Sequence, residues 1–139
     1  MPGPYQFGAA SMKEYLTLDV RLQMVCDEVI KRWDCKILQG RRTEAEHQAQ
    51  LAAGTSRTKH SKHVVPEGVP CPAMDLAPWQ ADGIGINWKD NKTFYAFAGV
   101  VLGVAFMLGI PLRWGGDWNS NNDLNDQTFN DLVHFELVP

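Results

Sequence analysis

The sequence predicts an α+β fold, with helices packed on one side of a small antiparallel sheet. Two observations carry this. Apolar residues recur at helical spacing over long stretches, and between them stand short apolar runs bounded by glycine or proline, too brief for helices. A third observation sets the size: 139 residues, 45% of them hydrophobic, suffice for one core rather than two, so one domain is expected.

Residues 1–10 carry Pro2, Gly3, Pro4 and Gly8, and residues 1–12 are read as a flexible arm ahead of a domain over 13–139. Over 17–33, Val20, Met24, Val25, Val29 and Trp33 recur at helical spacing, with Asp19, Asp27, Glu28 and Lys31 outward. Residues 36–39, ending at Gly40, suit a strand. Thr43 and Glu46 have the spacing of a capping box, which opens a helix through about 53, closed by Gly54; His47 on it is read as a surface residue. A polar, basic, proline-containing loop fills 54–72. A strand is expected over 73–76, a helix over 91–109 and a strand from 112. A second loop, over 115–126, is rich in Asn and Asp. In the last strand, over 132–138, Val133, Phe135 and Leu137 alternate with His134 and Glu136.

The formal net charge is −3, from 13 Lys+Arg against 16 Asp+Glu, which leaves no basic footprint for binding nucleic acid. Three cysteines, Cys26, Cys35 and Cys71, lack metal-knuckle spacing and are read as buried, reduced thiols. The nearly unbroken apolar run from Phe94 to Leu112 is as long as a membrane span. It contains Gly99, Gly103 and Gly109, stops at Gly109-Ile110-Pro111 and has no Lys/Arg asymmetry around it, so it is read as a buried core helix and no stable membrane insertion is expected.

Strand alternation puts His134 and Glu136 on one face, with Phe135 and Leu137 on the other. Asp131 stands at the entry to that strand. Upstream, His63 and Asp75 offer a second histidine and a carboxylate, and two histidines with one carboxylate make a three-ligand zinc set that leaves a fourth position for water. Spacing alone leaves His60 in competition with His63.

Five short motifs then resemble a known family. Gly40-Arg41-Arg42-Thr43, Ser61-Lys62-His63, Ala73-Met74-Asp75-Leu76-Ala77-Pro78, Trp114-Gly115-Gly116-Asp117-Trp118 and Asp131-Leu132-Val133-His134-Phe135-Glu136-Leu137 stand in the order seen in the LAS zinc peptidases. That group comprises VanY-type D-alanyl-D-alanine carboxypeptidases and the L-alanyl-D-glutamate endopeptidases used as phage endolysins. The resemblance covers about residues 38–138, and the last two motifs resemble the endolysin branch. It implies a Hedgehog/D,D-peptidase-like fold, Zn2+ held by His63, Asp75 and His134, proton handling at Asp131, and Arg42 beside the developing oxyanion. Two departures stand out: an expanded loop over 64–74 between the first two ligands, and Val133 where a proline is common.

Supporting or substrate-binding places are expected for Ser61, Lys62, Trp114, Asp117 and Glu136. Glu136 is either the group that fixes the His134 tautomer or a solvated strand carboxylate, and Arg42 has a salt bridge to Glu46 as its alternative. Arg57, Lys59 and Lys62 either grip an anionic substrate or are simply solvated; Trp114 and Trp118 either flank the cleft or anchor packing. The run Asp117-x-Asn119-x-Asn121 opens like a calcium loop, but Asn122 stands where the turn needs glycine and Thr128 where the bidentate Glu belongs. The expected function is therefore zinc-dependent hydrolysis of the peptidoglycan peptide stem at L-alanyl-D-glutamate, by a monomer. With no signal segment, it is expected to accumulate in the host bacterial cytoplasm until lysis. The alternatives are a D-alanyl-D-alanine carboxypeptidase and a non-catalytic wall-binding domain.

Overall fold

Asp19 caps the first long helix by accepting a hydrogen bond from the Arg21 amide at 2.9 Å, a satisfied helix N-terminus of the usual kind. The computed structural model describes residues 3–54, 61–80 and 84–139. In chain order the elements are α1 (Ala9–Tyr15), α2 (Val20–Arg32), β1 (Cys35–Gln39), α3 (Glu44–Ala52), β2 (Ala73–Pro78), α4 (Asn91–Met107), β3 (Leu112–Gly115) and β4 (Asp131–Leu137). The strands form one sheet in the order β1-β2-β4-β3, and every neighbouring pair is antiparallel. Helices against a small antiparallel sheet are the architecture that the sequence pattern predicts.

The core lies between one face of the sheet and helices α2 and α4. Leu22, Val25, Cys26 and Val29 meet Met74, Leu76, Phe97, Val101 and Phe135, all essentially inaccessible to solvent. The inward face of α2 is turned from the expected one, because Val20 and Met24 are exposed while Leu22 and Cys26 are buried. The long apolar run is likewise one-sided: α4 buries Phe94, Phe97, Ala98, Val101 and Ala105, yet Phe106 and Met107 are each 81% exposed. Among the described residues no helix is long and apolar enough to cross a membrane. The three cysteines are buried and unpaired, and burial pushes the Cys35 thiol up to about 12.

The chain before α2 differs from the expected loose arm. The Ser11 side chain is buried and accepts from the Ile37 amide at 3.1 Å, which docks α1 on β1. The Glu14 carboxylate accepts from the Gly40 amide at 3.1 Å, and the Thr17 hydroxyl from the Arg41 amide at 2.9 Å. Gly40 is required at this junction, since a Cβ there would overlap the Thr17 hydroxyl and the Glu14 carbonyl. Proline and glycine near the chain start conceal the short Ala9–Tyr15 helix, which tertiary docking holds in place.

Thr43 caps α3, its hydroxyl accepting from the Glu46 amide at 3.1 Å and donating to the Glu46 carboxylate at 2.9 Å. The sheet face opposite the α2/α4 core positions the site. On β2 and β4, Asp75 stands opposite His134 and Ala73 opposite Glu136, while Met74 and Phe135 turn to the core.

Candidate metal centre and active site

Pairing between β2 and β4 brings Asp75 and His134 side by side, with His134 Nδ1 3.4 Å from Asp75 Oδ1. His63 completes the group from a loop: its Nε2 lies 3.1 Å from Asp75 Oδ1 and 3.2 Å from His134 Nδ1. The loop reaches this place because residues 61–64 run alongside the Gly-Arg-Arg segment. Arg42 and Val64 form a parallel bridge, and the Arg42 amide donates to the His63 carbonyl at 2.8 Å. Ser61 tightens the turn by accepting from the His63 amide at 3.2 Å. The expanded loop returns through Cys71, whose amide and carbonyl pair with the Thr17 carbonyl and the Asp19 amide at 2.9 Å each. These three side chains offer ligand atoms close enough together to hold a metal ion.

The partners of the outer ring nitrogens settle which atoms can bind a cation. His63 Nδ1 lies 2.8 Å from the Gly40 carbonyl, which can only accept, so this nitrogen carries the proton and Nε2 keeps its lone pair. His134 Nε2 lies 2.8 Å from the Glu136 carboxylate, so here Nδ1 keeps the lone pair. Two lone pairs and a carboxylate therefore converge on one point, and the cluster attracts positive charge. Burial disfavours a charged His63 ring, yet the Asp75 carboxylate raises it to about 10, so a proton competes with a cation for the inward lone pair on Nε2. Burial likewise opposes ionisation of Asp75, but the His134 and His63 rings beside it hold its carboxyl well below the ordinary range.

Glu136 is no solvated strand carboxylate. It is 5% exposed, and besides His134 it meets Lys62 Nζ at 2.7 Å and Arg113 Nη1 at 3.4 Å. Burial works against its charge, but His134 and Lys62 bring its carboxyl down to about 2. Lys62 thus points at Glu136. Asp131 opens β4 opposite Gly115, where a Cβ would overlap the Asp131 carbonyl. Burial and then the charge of Asp75 push the Asp131 carboxyl up, while His134 and His63 pull it down, so it sits within the field of the cluster.

Arg42 is buried, and its guanidinium meets Gln39 and His47 rather than pairing with Glu46. Its Nε and Nη2 donate to the Gln39 side-chain oxygen at 3.1 and 2.9 Å, and its Nη1 to His47 Nδ1 at 3.0 Å. The surface reading of His47 is thereby corrected: it is 1% exposed and faces Arg42. Trp114 is a packing anchor, 4% exposed, with its indole N–H donating to the Leu132 carbonyl at 2.9 Å. Trp118 walls the cluster instead, its ring 5.4 Å from that of His134 and stacked on Phe129. Asp117 organises the loop after β3, accepting from the amides of Asn121 and Asn122 at 3.3 and 2.9 Å. His60, Arg57 and Lys59 lie outside the described residues.

Sequence reasoning missed Gln39, His47 and Arg113. A faint signal exists for His47, which shares a helical stripe with Gln50 and Leu51, each at least partly buried. Arg113 gives itself away only through register, opposite Glu136.

Comparison with known proteins follows the same outline. The chain is 35% identical to the L-alanyl-D-glutamate peptidase of Escherichia phage T5 over 143 residues, covering 96% of this chain and 98% of that protein. Its fold is similar to the crystal structure of the Serratia marcescens L-Ala D-Glu endopeptidase ChiX, with a TM-score of 0.72 at 22% identity, over 97% of this chain and 92% of that one. The model of the family described as phage L-alanyl-D-glutamate peptidase matches residues 4–138. With nearly its whole length matched, the chain belongs to the phage L-alanyl-D-glutamate peptidase family.

Proposed function

We propose that this protein is a zinc-dependent endopeptidase that hydrolyses the L-alanyl-D-glutamate bond in the peptide stem of peptidoglycan. His63, Asp75 and His134 hold the metal, and Asp131 carries the proton. The observation that carries the reading is the convergence of His63 Nε2, His134 Nδ1 and Asp75 Oδ1 at 3.1, 3.2 and 3.4 Å, both rings turned lone-pair inward. Zinc binds N and O ligands at about 2.0–2.1 Å in a tetrahedron, whose edges are then about 3.3 Å. The donor set fits that shape and leaves one corner open.

Zinc, when bound, supplies a Lewis acid and a water acidic enough to lose its proton near neutral pH. Asp131 accepts that proton and passes it to the departing glutamyl amine, a role suited to a half-buried carboxylate whose pKa is raised by its surroundings. Arg42 stabilises the negative charge that develops on the alanyl carbonyl oxygen. Glu136 fixes the His134 tautomer, and Lys62 and Arg113 keep Glu136 charged. The protein acts as a monomer that resides in the host cytoplasm before lysis and meets the wall afterwards.

Digestion of purified sacculi, with amino-terminal labelling and mass analysis of the products, tests this. New amino-terminal glutamate that disappears with chelator and returns with zinc is expected. Release of free D-alanine would make the protein a carboxypeptidase, and no release by zinc-loaded protein would leave a binding domain.

A further inference from the structure

Arg42 is 7% exposed, yet both partners of its guanidinium among the described residues are neutral: the Gln39 amide oxygen and the His47 ring. A guanidinium has five N–H donors and no acceptor, so the bond at 3.0 Å to His47 has a fixed direction. Arginine donates, Nδ1 accepts, and the His47 ring is neutral with its proton on Nε2. Three donated bonds leave two N–H groups for another acceptor. A carboxylate in the place of His47 would also aim the guanidinium, but it would cancel the charge that an oxyanion needs. A neutral acceptor aims it and leaves the charge intact.

The backbone around the pair is equally fixed. Thr43 starts α3, the His47 amide donates to the Thr43 carbonyl at 2.9 Å, and the first turn of the helix carries His47 back over Arg42. The Arg42 amide in turn holds the carbonyl of His63, a proposed metal ligand, at 2.8 Å. We infer that His47, together with Gln39, is a positioning residue: a neutral acceptor that orients Arg42 toward the reacting carbonyl oxygen without quenching its charge. The inference rests on the role of Arg42 proposed above.

Asn and Leu are close in size, but only Asn presents an oxygen near the place of Nδ1, so the pair H47N and H47L separates acceptor from bulk. Zinc-loaded variants are assayed on a soluble peptide containing an L-alanyl-D-glutamate bond, with zinc content and melting temperature measured alongside. H47N should keep kcat/KM within about fivefold, whereas H47L should lose about tenfold to hundredfold, the range for one hydrogen bond to a charged group. That loss should fall in the same parameter, kcat or KM, as the loss in R42M, and adding H47L to R42M should cost nothing further. Equal losses in H47N and H47L, or an undiminished H47L effect on top of R42M, would overturn the inference while sparing Arg42. Full activity in R42M would remove the Arg42 role itself and the inference with it. Nitrogen-15 shifts of the wild-type protein give a readout that needs no variant to fold: His47 must carry its proton on Nε2 alone, and a proton on Nδ1 overturns the inference.

Discussion

The candidate site has two halves held by different means. Asp75, His134, Glu136 and Asp131 stand on β2 and β4, where the ladder fixes both their spacing and the face they share. His63, Arg42 and His47 stand on a loop and the first turn of a helix, tied by a few side-chain bonds such as Gly40 carbonyl to His63 Nδ1 and the Arg42 guanidinium to the Gln39 oxygen. The strand-borne half inherits the rigidity of the sheet, whose opposite face is the core. The loop-borne half depends on bonds that one substitution can remove, so the two halves should fail differently: the strand half in metal hold or chemistry with the fold intact, the loop half in stability as well.

The largest effect should come from the strand half. Asp131→Asn keeps shape but cannot accept a proton, and kcat should fall about 10²- to 10⁴-fold with zinc content unchanged by elemental analysis. Loss of zinc along with activity would instead make Asp131 part of the metal's hold. Next, Glu136→Gln keeps an oxygen near His134 but loses the ion pairs with Lys62 and Arg113. Metal affinity or activity should drop about tenfold to hundredfold, as read by competition with a chelator.

These strand residues are also the part most legible in the sequence. Alternation alone puts His134 and Glu136 on one face, because a period of two is a local property of the chain. The pairing of Asp75 with His134, and the convergence of His63 on both, come through motif order, since no local pattern reports which strands are neighbours. His47 was misread for a related reason: its helix has one weakly apolar stripe, and Arg42, which its ring meets, precedes the helix. The Ala9–Tyr15 helix was hidden because its stability comes from docking Ser11 on β1.

The loop half is probed by Gly40→Ala, whose new Cβ must displace Thr17 or the Glu14 carbonyl. Destabilisation of about 1–3 kcal/mol is expected from urea unfolding, with weakened zinc binding as the Gly40 carbonyl leaves His63. Normal zinc affinity in this variant would show that the loop half is as rigid as the sheet.

The smallest effect is a pH dependence. The Glu136 carboxyl is held at about 2 in the fold against an ordinary 4.5. A depressed carboxyl adds stability above its ordinary value and loses it as pH falls toward the folded one. The urea midpoint of the zinc-free protein should therefore fall as pH drops from about 5 toward 2, and less steeply in Glu136→Gln. Identical slopes would mean that Glu136 is as well solvated in the fold as out of it.

The docking of the chain start on the Gly40–Arg41 junction has a mechanical meaning. Glu14 and Thr17 grip the two amides beside the carbonyl that holds His63, so the α1 segment is a strut in series with the site. Trimming the protein from its first residue, or pulling on it through a tethered fusion, loads that strut before it loads the sheet. The site is then reached by force from an end of the chain that supplies none of its ligands.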